Sequence, residues 1–578
     1  MINTLEVIPL YKMLKPTKNT SSHLVLIVLL LIAFQALSNT QIFAGSNASI
    51  LIKNHLKKKV ELETTKERFR CRGELICGLS QIPIFYQRRG FFPAWCSDKG
   101  ILPQAESLIT EIKGAHNEGL RPDDYHLTNI LSLIETIKNQ KALGNTVNPE
   151  LWADLDLLLT DAFMLYASHL LAGRVNPETI HTDWTVSSPT ADLTDILQSA
   201  LNTNQIKKAL NDFRPNHPGY SGLKTYLAHY RSIEKEVHEL PLLGGTRLTK
   251  GDKGPSVEIL RERLIILGDL YADNKDQTDI FDETIQEAVL RYQKRHGLKQ
   301  DGIVGSRTLE MLNTSLQKRI RQIELNMERW RWVPRNIGNR YLIVNIADFK
   351  LWGTENHRRV LDMRVVVGRP YRRTPVFSAK MTFMVINPYW NIPQRLAIKD
   401  VLPKIQKNIN YIEQQKIKIF KDWSENAVEI DPKTIAWNKI EPRNFAYKLR
   451  QDPGPRNVLG RIKFIFPNKF AVYLHDTPER SLFEKNNRDS SSGCIRVEEP
   501  ISLAVYLLQD DPSWTREILM EAIEIGTPKV IWLKRPITVH LQYWTAWVDE
   551  TGGLNFLNDI YDRDRPLDHA LKERRPKA

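Results

Sequence analysis

The chain holds little of several things, and each shortage removes a class of protein. There is no low-complexity tract, only 28 glycines occur in 578 residues, and 42% of residues are hydrophobic against 26% charged. That is the composition of a folded protein rather than a disordered one, and the length calls for three or four domains. Acidic residues are outnumbered, 67 to 81, giving a formal charge of +14. No single arm or helix gathers the Lys and Arg, which sets nucleic acid aside. An anionic envelope polymer or a membrane surface suits the charge equally well. The apolar run near the N-terminus, about 14 residues from Leu24 to Leu37, is short of the roughly 20 that span a bilayer. Cysteines number four: Cys71, Cys77 and Cys96 lie close together, and Cys494 stands alone. In an oxidising compartment the first three can form one bridge and leave one thiol over, in a pairing the sequence does not fix.

Lys12, Lys15 and Lys18 precede an apolar run from Leu24 to Leu37, and small or polar residues follow from Ser38 to Ser46. A positive flank, a short core and a small-residue exit form a secretory signal. An uncleaved anchor with its core extended to Phe43 is the alternative. Either way residues 1–46 place the bulk of the chain outside the cytoplasm.

Residues 47–243 read as a helical scaffold, with a buried central helix over Leu151 to Leu171. Gly119 to His126 forms a turn and a helix start, where His126 is a capping or packing residue rather than a ligand. A break at Gly244-Gly245 opens a three-helix bundle over 246–314. An amphipathic helix over 318–336 carries Ile320, Ile323, Met327 and Trp330 on one face as a joint. From about 338 to 535 the period becomes two, in short β-prone runs that include Phe470 to Leu474. A Lys-rich insertion over about 396–460 interrupts them and is read as a lid over a site, or else as a surface excursion. Residues 536–578 form a C-terminal segment. The fold class expected is multidomain α+β.

Chemistry concentrates between Tyr473 and Val497. His475 follows an apolar run, and Cys494 comes after Ser490-Ser491-Ser492-Gly493 and before Ile495-Arg496-Val497. A polar loop between them can return Cys494 to His475. The thiol then attacks as thiolate, the imidazole takes its proton, and backbone N–H groups freed by Gly493 hold an oxyanion. Arg496 adds positive potential. A buried inert cysteine is the alternative for Cys494 taken alone. A papain-like hydrolase would place the Cys early and the His far downstream, the reverse of this order.

At these residues the sequence resembles the YkuD-type L,D-transpeptidases, in their large periplasmic branch. Phe281-Asp282-Glu283-Thr284 and Leu298 to Gly305 resemble the peptidoglycan-binding type-1 module, with Tyr292 in place of the usual Phe. Ser492 stands where most of the family carries His. The resemblance implies a cysteine acyltransferase with Cys494 as nucleophile and His475 as general base, with Gly493, Ser492 and Arg496 at the oxyanion or in orienting roles. It implies periplasmic action on peptidoglycan tetrapeptide stems as donor and acceptor, and 3→3 cross-links through a thioester with loss of D-Ala. It implies susceptibility to carbapenems, and no metal or cofactor. Water or a lipoprotein lysine as acceptor, or a non-catalytic wall-binding protein, are the alternatives. Tyr473 orients the imidazole or lines the pocket, or is an ordinary strand aromatic. Trp390 floors the donor site or packs in the core. No nucleic acid is expected, and the N-terminus can associate with the inner membrane.

Overall fold

The computed structural model describes residues 47–573, apart from 64–68, 98, 145, 147, 186–188, 238–242, 246, 272–278 and 425. The export segment at 1–46 lies outside the described residues. Helix α1 (Pro149–Ala172) is the centre of the scaffold and is buried along almost its whole length. Asn148 caps it by accepting the Glu150 N–H, with a proline in the first turn. Three buried carboxylates interrupt its apolar surface, and each ties down a different piece of chain. Asp154 pairs with Lys59 and Arg72, both at 2.6 Å. Asp156 accepts from the Ala94 and Trp95 amides and the Tyr86 hydroxyl. Asp161 accepts from the Cys77 and Gly78 amides and faces His126 Nε2 at 2.7 Å. A buried carboxylate is tolerable only when so partnered. His126 occupies the N-cap position of the next helix, Leu127–Ala142, but makes no side-chain cap bond there, and it packs instead. It sits at φ +60° with its ring in this cluster. Burial opposes its charge, but the hydrogen bonds to Asp161 and Glu74 outweigh burial and raise its pKa. Among the described residues no disulfide joins Cys71, Cys77 and Cys96. Cys71 and Cys96 instead lie 3.4 Å and 3.6 Å from Asp154 and Asp156.

Helix α2 (Pro218–Glu236) leaves this core and buries Tyr220, Leu223, Leu227 and Tyr230 in a second one. Helices α3 (Pro255–Ile266), α4 (Glu283–Arg295) and α5 (Ser306–Leu312) form the small bundle around Leu260, Phe281, Ile285 and Tyr292. Asp282 caps α4 through the Ile285 amide. The amphipathic helix α6 runs Leu316–Arg331, starting at the Ser315 cap and ending short of the expected 336. It is no exposed linker: Ile323, Met327 and Trp330 share one core with α2 and with the β domain. Trp330 stacks on Trp544 with centroids 4.2 Å apart, and a Cβ at Gly219 would lie 2.3 Å from its ring. Arg329 pairs with Asp564 at 2.6 Å and Arg331 with Glu328 at 2.7 Å.

The β domain comprises β1 (Arg340–Asn345), β2 (Lys350–Glu355), β3 (Arg358–Gly368), β4 (Phe377–Ile386), β8 (Ile462–Ile465), β9 (Leu474–His475), β10 (Asp489–Ser491), β11 (Ile495–Val497) and β12 (Lys529–Gln542). The intervening β5 (Trp390–Ile392), β6 (Ile417–Phe420) and β7 (Lys448–Gln451) belong to the insertion. The main sheet runs β10-β3-β11-β9-β8-β4-β12-β1-β2, and β2 also pairs with β3, closing a ring of eight strands. Two expectations change. The run Phe470 to Leu474 contributes only Leu474 to a strand, because the Asn468 side chain bonds the Phe466 and Val472 carbonyls and Ala471 turns at φ +54°. Strand β12 continues past position 535, with a register shift against β4 between Trp532 and Ile537, and its last residues, Thr538 to Gln542, pair with β1 to complete the ring. The insertion folds as a subdomain with the sheet order β6-β7-β5 and a core of its own around Val401, Ile419, Trp437 and Leu449.

Removing the stacked indole at the joint would open a large void between α2, α6 and the barrel. Trp330→Ala is expected to cost about 3–5 kcal/mol. It would be read as a lower thermal unfolding midpoint of the full chain, and an unchanged midpoint would deny α6 its joining role.

Candidate active site

Strands β9 and β11 lie side by side and parallel, with Leu474 opposite Ile495 and His475 opposite Arg496. The Ile495 amide donates to the Tyr473 carbonyl at 3.1 Å, which carries the pairing back to the level of Cys494. On the other side of β9, His475 faces Lys463 of β8. Alternation then sets Tyr473, His475, Cys494, Arg496 and Lys463 on one face of the sheet. The Lys463 ammonium sits 3.9 Å from the Tyr473 ring centroid, and the Tyr473 ring centroid lies 5.7 Å from that of His475.

His475 is buried, and its Nδ1–H donates to the Asp476 carbonyl at 2.6 Å. That bond fixes the tautomer and leaves Nε2 as a lone-pair acceptor. Burial, reinforced by the Arg496 charge, pulls the imidazole pKa down to about 3. Burial also pushes the Cys494 thiol up, against the hydrogen bonds of Tyr473 and the charges of Lys463 and Arg496. Both groups are therefore neutral at rest. Burial lowers Lys463 in turn, against the pull of Cys494. The Asp476 carboxylate is turned away, accepting from the Arg461 amide at 2.8 Å and facing Arg480 at 3.4 Å.

The turn before Cys494 is closed by Ser491, whose Oγ donates to the Cys494 carbonyl at 2.5 Å and accepts the Gly493 amide at 3.1 Å. Gly493 itself is at φ +116°, a conformation that suits only glycine. The Ser492 hydroxyl is exposed and accepts from Arg372 at 3.0 Å. Arg372 also grips Asp400 of the insertion with both nitrogens, at 2.5 and 3.0 Å. Arg496 pairs with Glu479 at 2.6 Å.

One cavity of about 1340 Å³ is lined by Cys494, His475, Gly493, Ser492, Arg496, Tyr473 and Trp390. Every residue singled out from the sequence thus faces a single space. Trp390, half-buried at the start of β5, forms part of its insertion side. Sequence reasoning missed Lys463, Arg372, Asp400 and a scaffold segment. Lys463 was visible as the lone cation in the apolar run Ile462 to Ile465. Arg372 and Asp400 gave no local signal. Ile180 to Asp183 come from the scaffold, far away in sequence, yet they line the same cavity. A thiol, a neutral imidazole with a free Nε2, and a tight turn with backbone donors can carry out acyl transfer.

Residues 339–531 match the L,D-transpeptidase catalytic domain family, YkuD. Residues 80–227 match a "Scaffold domain", and residues 253–312 a "Putative peptidoglycan binding domain". A curated relative from Haemophilus influenzae, a "Putative L,D-transpeptidase", is 40% identical over 260 residues, 44% of this chain. The chain spans about half of that relative's length, 51%. Among solved structures, an L,D-transpeptidase from Xylanimonas cellulosilytica is 14% identical with a TM-score of 0.16, covering 52% of this chain and 100% of that one. One from Stackebrandtia nassauensis is 14% identical with a TM-score of 0.21, covering 52% of this chain and 97% of that one. Likenesses at these scores carry no weight for fold or function. The family matches do: the chain carries a YkuD L,D-transpeptidase catalytic domain over residues 339–531, together with a scaffold domain and a peptidoglycan-binding domain.

Proposed function

We propose that the chain is an L,D-transpeptidase that forms 3→3 cross-links in peptidoglycan through a thioester on Cys494. The observation that carries this reading is the β9–β11 register, which sets Cys494 beside Tyr473 and one step from a neutral, tautomer-fixed His475. His475 Nε2 takes the thiol proton as Sγ attacks the carbonyl of the third stem residue, meso-diaminopimelate. The C–N bond to the terminal D-Ala breaks, and the imidazolium returns the proton to the leaving amine. The side-chain amine of a second stem then attacks the thioester, and its proton passes through His475 to regenerate the thiol. Because the Gly493 amide is engaged with Ser491, the Cys494 amide is the turn's donor to the oxyanion.

The substrate class is supported by the peptidoglycan-binding domain and by the charge of the cavity. Arg369, Arg373, Arg395 and Lys399 line it and suit the carboxylates of the stems. The insertion acts as the lid, held by Asp400 on Arg372 beside the nucleophile turn. An enzyme acting on peptidoglycan works outside the cytoplasm, here the periplasm, with residues 1–46 as cleaved signal or retained membrane anchor.

Incubation with a carbapenem is expected to leave one covalent adduct, on Cys494 and not on Cys71, Cys77 or Cys96, as located by peptide mass spectrometry. Adducts confined to the other three would sink the assignment. Incubation with tetrapeptide-bearing muropeptides is expected to yield 3→3 dimers. Trimmed tripeptides alone would instead identify a carboxypeptidase, and lysine conjugates a protein-tethering enzyme. The pH dependence follows from the neutral resting pair. With the thiol pKa raised, the thiolate fraction grows about tenfold per pH unit throughout the neutral range. Alkylation of Cys494 by iodoacetamide should therefore climb steadily from pH 6 to pH 8. A plateau in that window would signify a preformed thiolate–imidazolium pair.

A further inference from the structure

We propose that Thr374, Tyr561, Arg563 and Asp183 form a buried relay that aims the Cys494 amide, making them positioning residues for acyl transfer. This rests on the reading of Cys494 as the nucleophile. The relay meets the site at one atom. Thr374 is fully buried, and its Oγ1–H donates to the Gly493 carbonyl at 2.9 Å. That carbonyl and the Cys494 N–H belong to the same peptide unit, which is planar and trans, so the two point in opposite directions. Fixing the oxygen from behind therefore fixes the direction of the N–H in front. A carbonyl that accepts such a bond also leaves its own N–H a better donor.

Thr374 is itself held on every side. Its Oγ1 accepts the Gly368 amide at 2.9 Å, so the hydroxyl proton is committed to Gly493. Its amide donates to the Tyr561 hydroxyl at 3.2 Å, and that hydroxyl donates to the Gly368 carbonyl at 2.5 Å. Gly368 lies so close to the returning chain that an added Cβ would sit 2.1 Å from the Arg372 carbonyl oxygen. The Thr374 carbonyl accepts from Arg563 Nη2 at 3.2 Å.

Arg563 carries the relay to the scaffold. Its guanidinium is fully buried among the rings of Tyr543, Tyr561 and Trp184, at 4.9, 5.2 and 5.4 Å. A buried cation needs a counter-charge, and Asp183 supplies it at 2.5 Å. Asp183 is placed by main-chain bonds: its carbonyl accepts the Val376 amide, and the Thr185 amide donates to the Val376 carbonyl, both at 2.9 Å. The scaffold thus adds a short strand-like segment beside the chain that follows Thr374. None of the four residues is a catalytic residue, and their path to the reaction runs through Gly493.

The test uses the full chain with Thr374→Val, which keeps the shape and removes the hydroxyl, Thr374→Ser, which restores it, Asp183→Asn and Tyr561→Phe. Two rates are read at Cys494: acylation by a carbapenem, which needs the oxyanion donor, and alkylation by iodoacetamide, which does not. Thr374→Val is expected to slow acylation about ten- to a hundredfold, the scale of an ångström-level misplacement, with alkylation and thermal midpoint near wild type. Thr374→Ser should acylate near the wild-type rate, and Asp183→Asn and Tyr561→Phe should slow acylation alone. Tyr561→Phe carries the test should Thr374→Val not fold. Unaltered acylation in the folded variants, an equal fall in both rates, or no recovery with Ser would overturn the relay. A wild-type chain not acylated at Cys494 would overturn the nucleophile assignment itself, and the relay with it.

Discussion

Two residue pairs, Leu474 with Ile495 and His475 with Arg496, hold the imidazole and the thiol in register. The strands that make this contact are two and three residues long, far too short to be stable alone. They persist because β8 lies against one side of the pair and β3 against the other, inside a ring that has no free edge between them. The inward side chains Leu474, Ile495 and Val497 are buried in the same core as Phe464, Val365 and Val367. A one-residue slip of β11 would turn Ile495 toward the cavity and Cys494 into that core. The hydrophobic pattern of β11 thereby protects the register on which the proposed chemistry depends.

The core that enforces this register is not confined to the catalytic domain. Helix α2 of the scaffold, helix α6 and the chain from Tyr543 to Leu571 contribute to it, with Trp330 between Gly219 and Trp544. The bulk of the scaffold keeps a separate core around α1. The scaffold therefore has two parts in mechanical terms: an independent body that ends near Phe213, and an outlying arm that includes Trp184 and α2 and belongs to the barrel. That division explains how residues as remote in sequence as Asp183 reach the wall of the cavity.

The candidate site was legible because its thiol and imidazole sit in one short stretch with recognisable punctuation: an apolar run before His475, and serines with glycine before Cys494. The small bundle was legible for the same reason, since its capped helices are local. Legibility failed wherever structure depends on side chains reaching across the chain. Asn468, by bonding two carbonyls, makes a bend from a run whose composition reads as strand. The three carboxylates of α1 look like flaws in a buried helix until their loop partners are in place. The insertion is polar enough to read as surface, because its core of about a dozen apolar residues is dispersed over three strands and several short helices. Lys463 was the nearest miss, since a lone cation in an apolar strand needs a reason to be there.

That reason emerges from the balance of charge at the site. Lys463 and Arg496 favour a thiolate on Cys494, while both disfavour an imidazolium on His475. For a resting ion pair the two influences oppose each other, and burial, the largest influence on both groups, keeps the pair neutral. In the proposed reaction, once Sγ bonds to carbon the negative charge leaves the sulfur for the oxyanion, in the same electropositive space. The cations then act on a charge that exists only in the transition state and in the tetrahedral intermediate. A group that binds developing charge better than the ground state accelerates the step, whereas one that merely held a thiolate would stabilise the reactant. On this account the burial that makes Cys494 a poor thiolate is what lets its cationic neighbours contribute to the rate.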